Sequence, residues 1–159
     1  MAYIFTKKQF AQLEKKILRT QRELDKILKK KGEVAGSSAG DGWHSPEFMA
    51  TYVEEVELRK KLSDLRNLAS GAKIIKPKEQ NERVAIGNEV IIKHEDGSQE
   101  KIILEGFITT PKENLVSIYS PLGKVLKGAK KGQTKVVEIE GRKKKIKILE
   151  ILSPLETKN

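Results

Sequence analysis

Two long helical patterns flank a short stretch that interrupts both of them, and this interruption constrains the fold more than any other feature. Residues 36–40 contain two glycines and two serines. These residues lower helix propensity and satisfy backbone groups locally. Ser45, Pro46 and Glu47 then have the order of a helix start, with an N-cap, a first-turn proline and an acid that favours the helix dipole. The pattern predicts a helical hairpin with its tip loop at 36–45.

The first helix is predicted from Lys7 to about Val34, a length of about 42 Å at 1.5 Å per residue. Thr6 and Gln9 have the spacing of a capping box, in which each side chain satisfies a backbone amide of the other. Apolar residues follow the three-then-four spacing of a coiled-coil seam, with Thr20 and Lys31 in the gaps. The apolar seam positions are Phe10, Leu13, Ile17, Leu24, Ile27 and Val34.

The second helix is predicted from Pro46 to about Ser70, where Gly71 can cap its end. Its length is close to that of the first helix, so the two can pack antiparallel along one seam. The predicted seam positions are Phe48, Tyr52, Val56, Leu58, Leu62, Leu65 and Ala69.

Beyond Lys76 the periodicity changes to the alternation of strands, with a hairpin-turn signal at Asp96-Gly97. Strands are predicted near 90–92, 101–104, 115–119, 134–139 and 144–151, with one short helix within 120–128. The sequence therefore predicts an α+β chain: a coiled-coil hairpin over 1–76 and an antiparallel-sheet domain over 77–159. The predicted sheet core is Val90, Ile92, Ile103, Leu104, Val116, Ile118, Leu126, Val137, Ile139, Ile146, Ile148 and Ile151.

The charge is unevenly distributed. The whole chain carries +10, and residues 1–34 hold ten Lys or Arg against four acids. A basic stripe on a rod favours a polyanionic partner, most commonly nucleic acid, although a solvated coiled-coil face would have the same composition. The chain lacks cysteine, a signal-peptide pattern and any apolar run of membrane-spanning length. We therefore expect a cytoplasmic protein with no membrane partner.

Five segments together resemble the Gre transcript-cleavage factors of bacterial RNA polymerase, and the resemblance extends over essentially the whole chain. They are Thr6–Leu13, Gly40-Asp41 with Glu47-Phe48, Ala72–Ile75, Val84–Val90, and Ser120–Gly128 with Lys131-Gly132. The most specific is the Ser-Pro-Leu-Gly-Lys-Val-Leu-Lys-Gly string at 120–128. The resemblance implies a coiled-coil finger followed by an FKBP-like domain.

The resemblance also implies a function. The C-terminal domain would dock on RNA polymerase through Ser120, Pro121, Leu122 and Gly123, and the finger would enter the secondary channel. Acidic tip residues would there help hold a magnesium ion while the polymerase cuts the 3′ end of backtracked RNA. The partners implied are the polymerase and the nascent RNA 3′ end, with DNA contacted only indirectly. The protein would act as a monomer, with no cofactor of its own and no independent enzyme activity.

The tip departs from the family form Gly-Asp-Leu-Ser-Glu-Asn-Ala-Glu-Tyr. Asp41 falls on the first acid and is the candidate ligand of the polymerase magnesium, whereas His44 falls on the second. Neutral imidazole is a poorer magnesium ligand than carboxylate. Glu47 is a possible replacement acid, and it also has the ordinary role of a first-turn acid. His44 could position a water or contact phosphate, or it could be a loop residue without chemistry.

Trp43 is the sole tryptophan and can stack on a displaced RNA base or fold back over the hairpin end near Phe48. Basic residues of the first helix could guide RNA along the finger. They are Lys15, Lys16, Arg19, Arg22, Lys26, Lys29 and Lys30, together with Lys31.

Four hypotheses follow from the sequence. The first is a Gre-type factor that stimulates cleavage of backtracked RNA. The second is a secondary-channel regulator or inhibitor that docks without stimulating cleavage, because His44 replaces an acid. The third is a peptidyl-prolyl isomerase, which is disfavoured because residues 77–159 contain only two aromatic residues, Phe107 and Tyr119. The fourth is a nucleic-acid-binding coiled coil that works without a polymerase.

Overall fold

The computed structural model describes residues 2–37 and 42–154, which form two compact units. The hairpin unit is Ala11–Gly71, and the sheet unit combines Met1–Phe10 with Ala72–Asn159. These boundaries differ from the predicted division after residue 76, because the first ten residues and residues 72–76 belong to the sheet unit.

Helix α1 spans Lys7–Ser37 and helix α2 spans Pro46–Ser70. The start of α1 and both ends of α2 are confirmed. Helix α1 continues through Gly36 to Ser37, beyond its predicted end, and the Ser37 hydroxyl donates to the Val34 carbonyl at 2.9 Å. One glycine costs only about 1 kcal/mol in a long helix, so it does not stop α1. A single 3₁₀ turn, Gly42–His44, precedes α2.

The seam predicted for α1 is confirmed, including its two polar gap positions. Its residues are buried or half-buried at Leu13, Ile17, Thr20, Leu24, Ile27, Lys31 and Val34. The Thr20 hydroxyl donates to the Lys16 carbonyl at 2.9 Å, which satisfies this buried polar group within its own helix.

The seam predicted for α2 is wrong at Tyr52 and Val56, which are 48% and 49% exposed. Thr51 and Glu55 occupy the buried positions instead. The true seam keeps a strict three-then-four spacing through 48, 51, 55, 58, 62 and 65, as a coiled coil requires. The two apolar residues outside this spacing face solvent.

The N-terminus is held in the sheet unit by a short strand that the sequence analysis missed. Strand β1 (Ile4–Thr6) pairs in parallel with β2 (Lys73–Ile75). The Phe107 amide donates to the Ile4 carbonyl at 2.6 Å. The Thr6 hydroxyl accepts from the Gln9 amide at 3.3 Å and caps α1 as predicted.

The second hydrogen bond of the predicted capping box, in which the Gln9 side chain would accept from the Thr6 amide, does not form. The Gln9 side-chain oxygen is buried without a hydrogen-bond partner among the described residues. The Thr6 hydroxyl also donates to a Glu105 carboxylate oxygen at 3.0 Å, which ties the helix start to the sheet.

The main sheet has five strands in the order β5-β4-β3-β7-β6. Their bounds are β3 Glu89–His94, β4 Gln99–Glu105, β5 Leu115–Ser117, β6 Thr134–Ile139 and β7 Arg142–Leu152, with helix α3 at Pro121–Leu126. The prediction of an antiparallel sheet is wrong for β5, which runs parallel to β4. The connection at 106–114 crosses back along the sheet instead of making a tight turn, and such a crossover produces parallel pairing.

The sheet core is close to the predicted set, with two corrections. Val90 pairs with Ile102, so Ile102 and Leu104 are fully buried and Ile103 points to the opposite face. Ile139 lies near the end of β6 and is 37% exposed. The first difference follows from the two-residue side-chain period of a strand. Ile139 shares a face with buried Val137 and is exposed because it is the last residue of β6.

Substitution of Gly123 tests how closely α3 packs against β5. Gly123 is buried, and a Cβ built on it would overlap the Ser117 carbonyl. We expect Gly123→Ala to destabilise the sheet unit by about 2 kcal/mol, because backbone must move to make room. Gly32 in α1 has open space around its Cβ position. Gly32→Ala should instead be neutral or stabilise by up to about 1 kcal/mol.

Hydrogen exchange at the amides of β5 and α3, with thermal unfolding followed by circular dichroism, measures both effects. Unchanged exchange in Gly123→Ala would contradict the packing described here.

Candidate functional site

The start of α2 gives the tip a defined geometry on its C-terminal side. Ser45 has extended backbone angles, and its hydroxyl accepts from the Phe48 amide at 3.1 Å. Its carbonyl accepts from the Met49 amide at 3.0 Å. Ser45 and the first-turn Pro46 therefore start α2 immediately after the 3₁₀ turn that carries Trp43 and His44.

The predicted catalytic residues divide between described and undescribed parts of the tip. His44 and Glu47 are both exposed, on the 3₁₀ turn and in the first turn of α2 respectively. Asp41 lies outside the described residues. Within residues 2–37 and 42–154, no three His, Cys, Asp or Glu side chains gather as metal ligands would. The described part of the tip therefore does not form a metal site of its own.

Trp43 lies against Phe48, with ring centroids 5.2 Å apart and planes inclined at 60°. This confirms the fold-back alternative for Trp43. Phe48 is buried, whereas Trp43 remains 61% exposed. The ring is therefore supported on one side and accessible on another, and RNA stacking stays a prediction.

A charged cluster below the tip was missed as a unit in the sequence analysis. The Lys31 ammonium lies 2.6 Å from Glu55 Oε2, and Arg59 Nε lies 2.8 Å from Glu55 Oε1. The same ammonium lies over two rings, 5.0 Å from the Tyr52 centroid and 5.5 Å from that of Phe48. The three-then-four spacing of the seam, applied strictly to α2, would have predicted that Glu55 faces α1.

The hydrogen bond from Lys31, followed by that from Arg59, lowers the pKa of the Glu55 carboxyl below its ordinary value. The carboxylate form is therefore stabilised in the folded hairpin. Lys31 is occupied in this cluster and is not part of the exposed basic surface.

Five basic residues form an exposed stripe along α1. Lys15, Arg19, Arg22, Lys26 and Lys29 follow one another at spacings of four, three, four and three residues, and all are exposed. They lie two residues after the corresponding seam positions, a rotation of about 200° at 3.6 residues per turn. The stripe therefore occupies the face opposite the seam. Lys30 is exposed beside it, and Lys16 is half-buried.

Two acids, Glu23 and Asp25, lie among the five basic residues of the stripe along α1. Arg19 pairs with Glu23 at 3.2 Å across one helical turn. Such exposed pairs contribute little to stability and exchange readily for other partners. The stripe extends over about 21 Å, which is long enough for several phosphate contacts.

The predicted partner-binding residues surround the start of α3. The Ser120 hydroxyl accepts from the Gly123 amide at 3.0 Å and donates to the Ser117 carbonyl at 2.6 Å. Ser120, Pro121 and Leu122 line a groove of about 410 Å³, whereas Gly123 is buried and allows the close approach of Ser117. The groove is completed by Ile108, Pro111, Leu115, Val116, Ser117 and Ile139.

Both aromatic residues of the C-terminal region are packed against the N-terminal strand. Phe107 lies 4.9 Å from Tyr3 and 5.3 Å from Phe5 between ring centroids. Tyr119 lies 5.2 Å from Tyr3, and its hydroxyl accepts from the Ile4 amide at 2.9 Å. The rings of Phe107 and Tyr119 are therefore engaged in packing contacts, whereas a prolyl-binding pocket would need such rings around its ligand.

Comparison with known proteins places this chain in a family. Residues 79–153 match the family model described as transcription elongation factor GreA/GreB, C-terminal. A GreA from Nautilia profundicola is 30% identical over 115 residues, which are 70% of this chain and 69% of that protein. The chain belongs to the GreA/GreB family of transcription elongation factors.

A GreA from Thermosipho africanus is 35% identical over 109 residues, which are 65% of this chain. The match spans 66% of that relative's length, just under two thirds. Among solved structures, the GreA factor homolog 1 of Thermus thermophilus aligns with 95% of this chain and 99% of its own, at 19% identity and a TM-score of 0.44.

Within the GreA/GreB family, this chain is confirmed as an α+β protein with long N-terminal helices and a C-terminal sheet. None of the helices in the described part of the chain has the length and apolarity that a membrane span requires.

The lowered pKa of Glu55 gives the hairpin unit a pH-dependent stability. Because the folded state favours the carboxylate, this contribution is complete above the ordinary pKa of 4.5 and is lost as the pH falls through the lower folded value. We expect Glu55→Gln to cost about 2 kcal/mol at pH 7, since Lys31 loses its charged partner. The difference from wild type should narrow as the pH approaches 3.

Urea unfolding followed at 222 nm between pH 3 and pH 7 measures this difference. The matched control is Glu54→Gln, which makes the same carboxylate-to-amide change at an exposed neighbouring residue. Equal effects of the two substitutions would contradict the role given to Glu55.

Proposed function

We propose that this protein binds bacterial RNA polymerase, inserts its hairpin into the secondary channel and stimulates the polymerase to cleave backtracked RNA. It acts as a monomer in the compartment of the polymerase, the cytoplasm. The nuclease is that of the polymerase, so the protein is not an enzyme by itself. Membership of the GreA/GreB family supports this function, through a family match at 79–153 and a relative that aligns with 70% of the chain.

The observation that carries the proposal is the basic stripe opposite the hairpin seam. Helix α2 is 25 residues long, about 37 Å, and the hairpin ends in an exposed aromatic and two exposed polar side chains. A narrow rod with a cationic face can approach a polyanion along its length. RNA extruded from a backtracked polymerase is such a polyanion, and each phosphate contact adds to affinity at low salt.

The sheet unit supplies the docking surface in this proposal. The groove beside α3 is mostly aliphatic, and Pro121 and Leu122 stand at its edge. Gly123 lets α3 lie close to β5, so these residues are held on a rigid element. A rigid apolar surface loses little conformational entropy on binding, so it suits docking on a preformed protein partner.

At the tip, Asp41, Glu47 and His44 would act within the polymerase active site. Magnesium prefers oxygen ligands, so the two carboxylates suit a metal that the polymerase itself supplies and holds. The described tip has no complete ligand set, and no magnesium bound to this chain alone is proposed. Trp43, whose ring lies against Phe48, would stack on an unpaired base.

A second candidate function follows from His44, which stands where the resemblance places the second tip acid. A factor with this tip could occupy the channel and regulate or inhibit the polymerase without stimulating cleavage. Docking and RNA guidance would be the same in both candidates, and the chemistry at the tip separates them.

RNA cleavage in a defined backtracked elongation complex tests the proposal. We expect wild-type protein to stimulate cleavage and Asp41→Ala to abolish it, since the remaining tip acid would not replace the lost carboxylate. His44→Glu should increase cleavage by restoring an acid. Glu57→Ala, which removes an exposed carboxylate farther along α2, is the matched control and should have no effect.

Binding to the polymerase is measured in parallel, so that loss of docking is not mistaken for loss of chemistry. Binding without cleavage by wild type, with cleavage gained in His44→Glu, would favour the regulatory function. No binding at all would reject both candidates.

A further inference from the structure

We propose that a second groove in the sheet unit binds an extended peptide segment in which acidic and aliphatic residues alternate. The cationic groove, as we name it, has a volume of about 540 Å³, within the range of ligand-binding clefts. Its apolar lining, which we call the floor, consists of Ile4, Ile75, Pro77, Val84, Ala85 and Ile86. It shares no residue with the groove beside α3, so it is a separate surface.

The floor determines which side chains of a partner the groove can accept. All of its side chains are aliphatic or proline, and Val84, Ile86 and Pro77 are buried. Leucine, isoleucine or valine side chains of a partner would bury apolar surface there, worth roughly 25 cal/mol per Å² before the costs of association. Among the described residues, no aromatic ring lines the groove, so this lining lacks the surface on which nucleic-acid bases stack.

The charges around the groove are all of one sign. Lys76, Lys78, Arg83 and Lys127 line it, and no Asp or Glu within 2–37 or 42–154 does. The three lysines form no ion pair with another described residue, and Arg83 donates to the Gly128 carbonyl at 3.2 Å. Cations spaced around an apolar floor complement carboxylates that alternate with apolar side chains.

The walls of the groove are held by internal hydrogen bonds and need little reorganisation. The Val84 amide donates to the Ala129 carbonyl at 2.8 Å, and the Gly128 amide donates to the Val84 carbonyl at 2.7 Å. Buried Asn88 accepts from the Gln80 side chain at 2.9 Å and donates to the Gln80 carbonyl at 2.7 Å. A preformed groove lowers the ordering cost of binding.

The shape of the site favours an extended peptide over a compact ligand. Ile75, at the end of β2, and the residues that follow it form one wall. Among the described strands, β2 pairs only with β1. An extended segment could therefore add main-chain hydrogen bonds beside β2 while its aliphatic side chains enter the groove. A protein partner with such a segment is the occupant we infer, and this inference does not depend on the function of the hairpin.

The test uses the full chain and a fluorescein-labelled ten-residue peptide of alternating Glu and Leu, with binding followed by fluorescence anisotropy. We expect saturable binding, and we expect Lys76→Glu/Lys127→Glu to weaken it by at least about tenfold. The matched control, Lys143→Glu/Lys144→Glu, makes the same charge change on exposed positions of β7 outside the groove and should weaken it less than about twofold.

Two control peptides separate the parts of the site. Replacing Leu with Ser tests the apolar floor, and replacing Glu with Lys tests the rim; both peptides should bind at least about tenfold more weakly. Amide chemical-shift changes on titration should centre on 75–78, 84–86 and 127–128. Ala85→Phe, which fills the groove without changing charge, should also weaken binding.

Several results would overturn the proposal. They are absence of binding, equal binding of the Ser-containing peptide, equal weakening by the two charge-reversal variants, and shift changes centred elsewhere. Decanoate or a single-stranded RNA binding at the same residues when the peptide does not would assign the groove to another class of ligand and would also reject it.

Discussion

The ion pair between Lys31 and Glu55 is the interaction on which the geometry of the hairpin tip depends. Both residues stand at seam positions, on opposite helices, and the carboxylate also accepts from Arg59. A polar pair in a coiled-coil seam contributes specificity of register more than net stability, because burial of charge offsets the attraction. A slip of either helix along the seam would separate the two charges.

The contacts of Lys31 extend this constraint to the tip. Its ammonium lies over the rings of Tyr52 and Phe48, and Phe48 supports Trp43. Cation–π contacts of this kind are worth about 0.5–1 kcal/mol each where partly exposed. One lysine thus connects seam register to the position of the only tryptophan. The basic stripe on the opposite face of α1 is exposed.

The sequence predicted features that depend on local chemistry. Both helix starts, the end of α2, the seam of α1 and the strand periods follow from caps and periodicity. The seam of α2 was mispredicted because Tyr52 and Val56 are apolar, whereas the buried positions hold Thr51 and Glu55. A strict three-then-four spacing counted from Phe48 would have indicated both positions, but a search for apolar residues passes over them because they are polar.

Features that join distant parts of the chain were the least predictable. The three-residue strand β1 pairs with β2 across nearly seventy residues, and its short pattern is weak by itself. The parallel pairing of β5 depends on the path of the preceding connection. The acid set of the tip was proposed from resemblance, and its member Asp41 lies outside the described residues. The second groove combines residues from four separate segments, and no local motif marks it.

We propose that the tip of the hairpin reaches the polymerase active site, and position-specific crosslinking tests this proposal most directly. The chain has no cysteine, so Ala50→Cys near the tip and Lys144→Cys in the sheet unit each create one labelling site. With a short photoreactive label in a backtracked elongation complex, the label at 50 should crosslink to the RNA 3′ end or to the active site, and the label at 144 should not. Crosslinks from 50 confined to the outer surface of the polymerase, or the same pattern from both positions, would contradict the account.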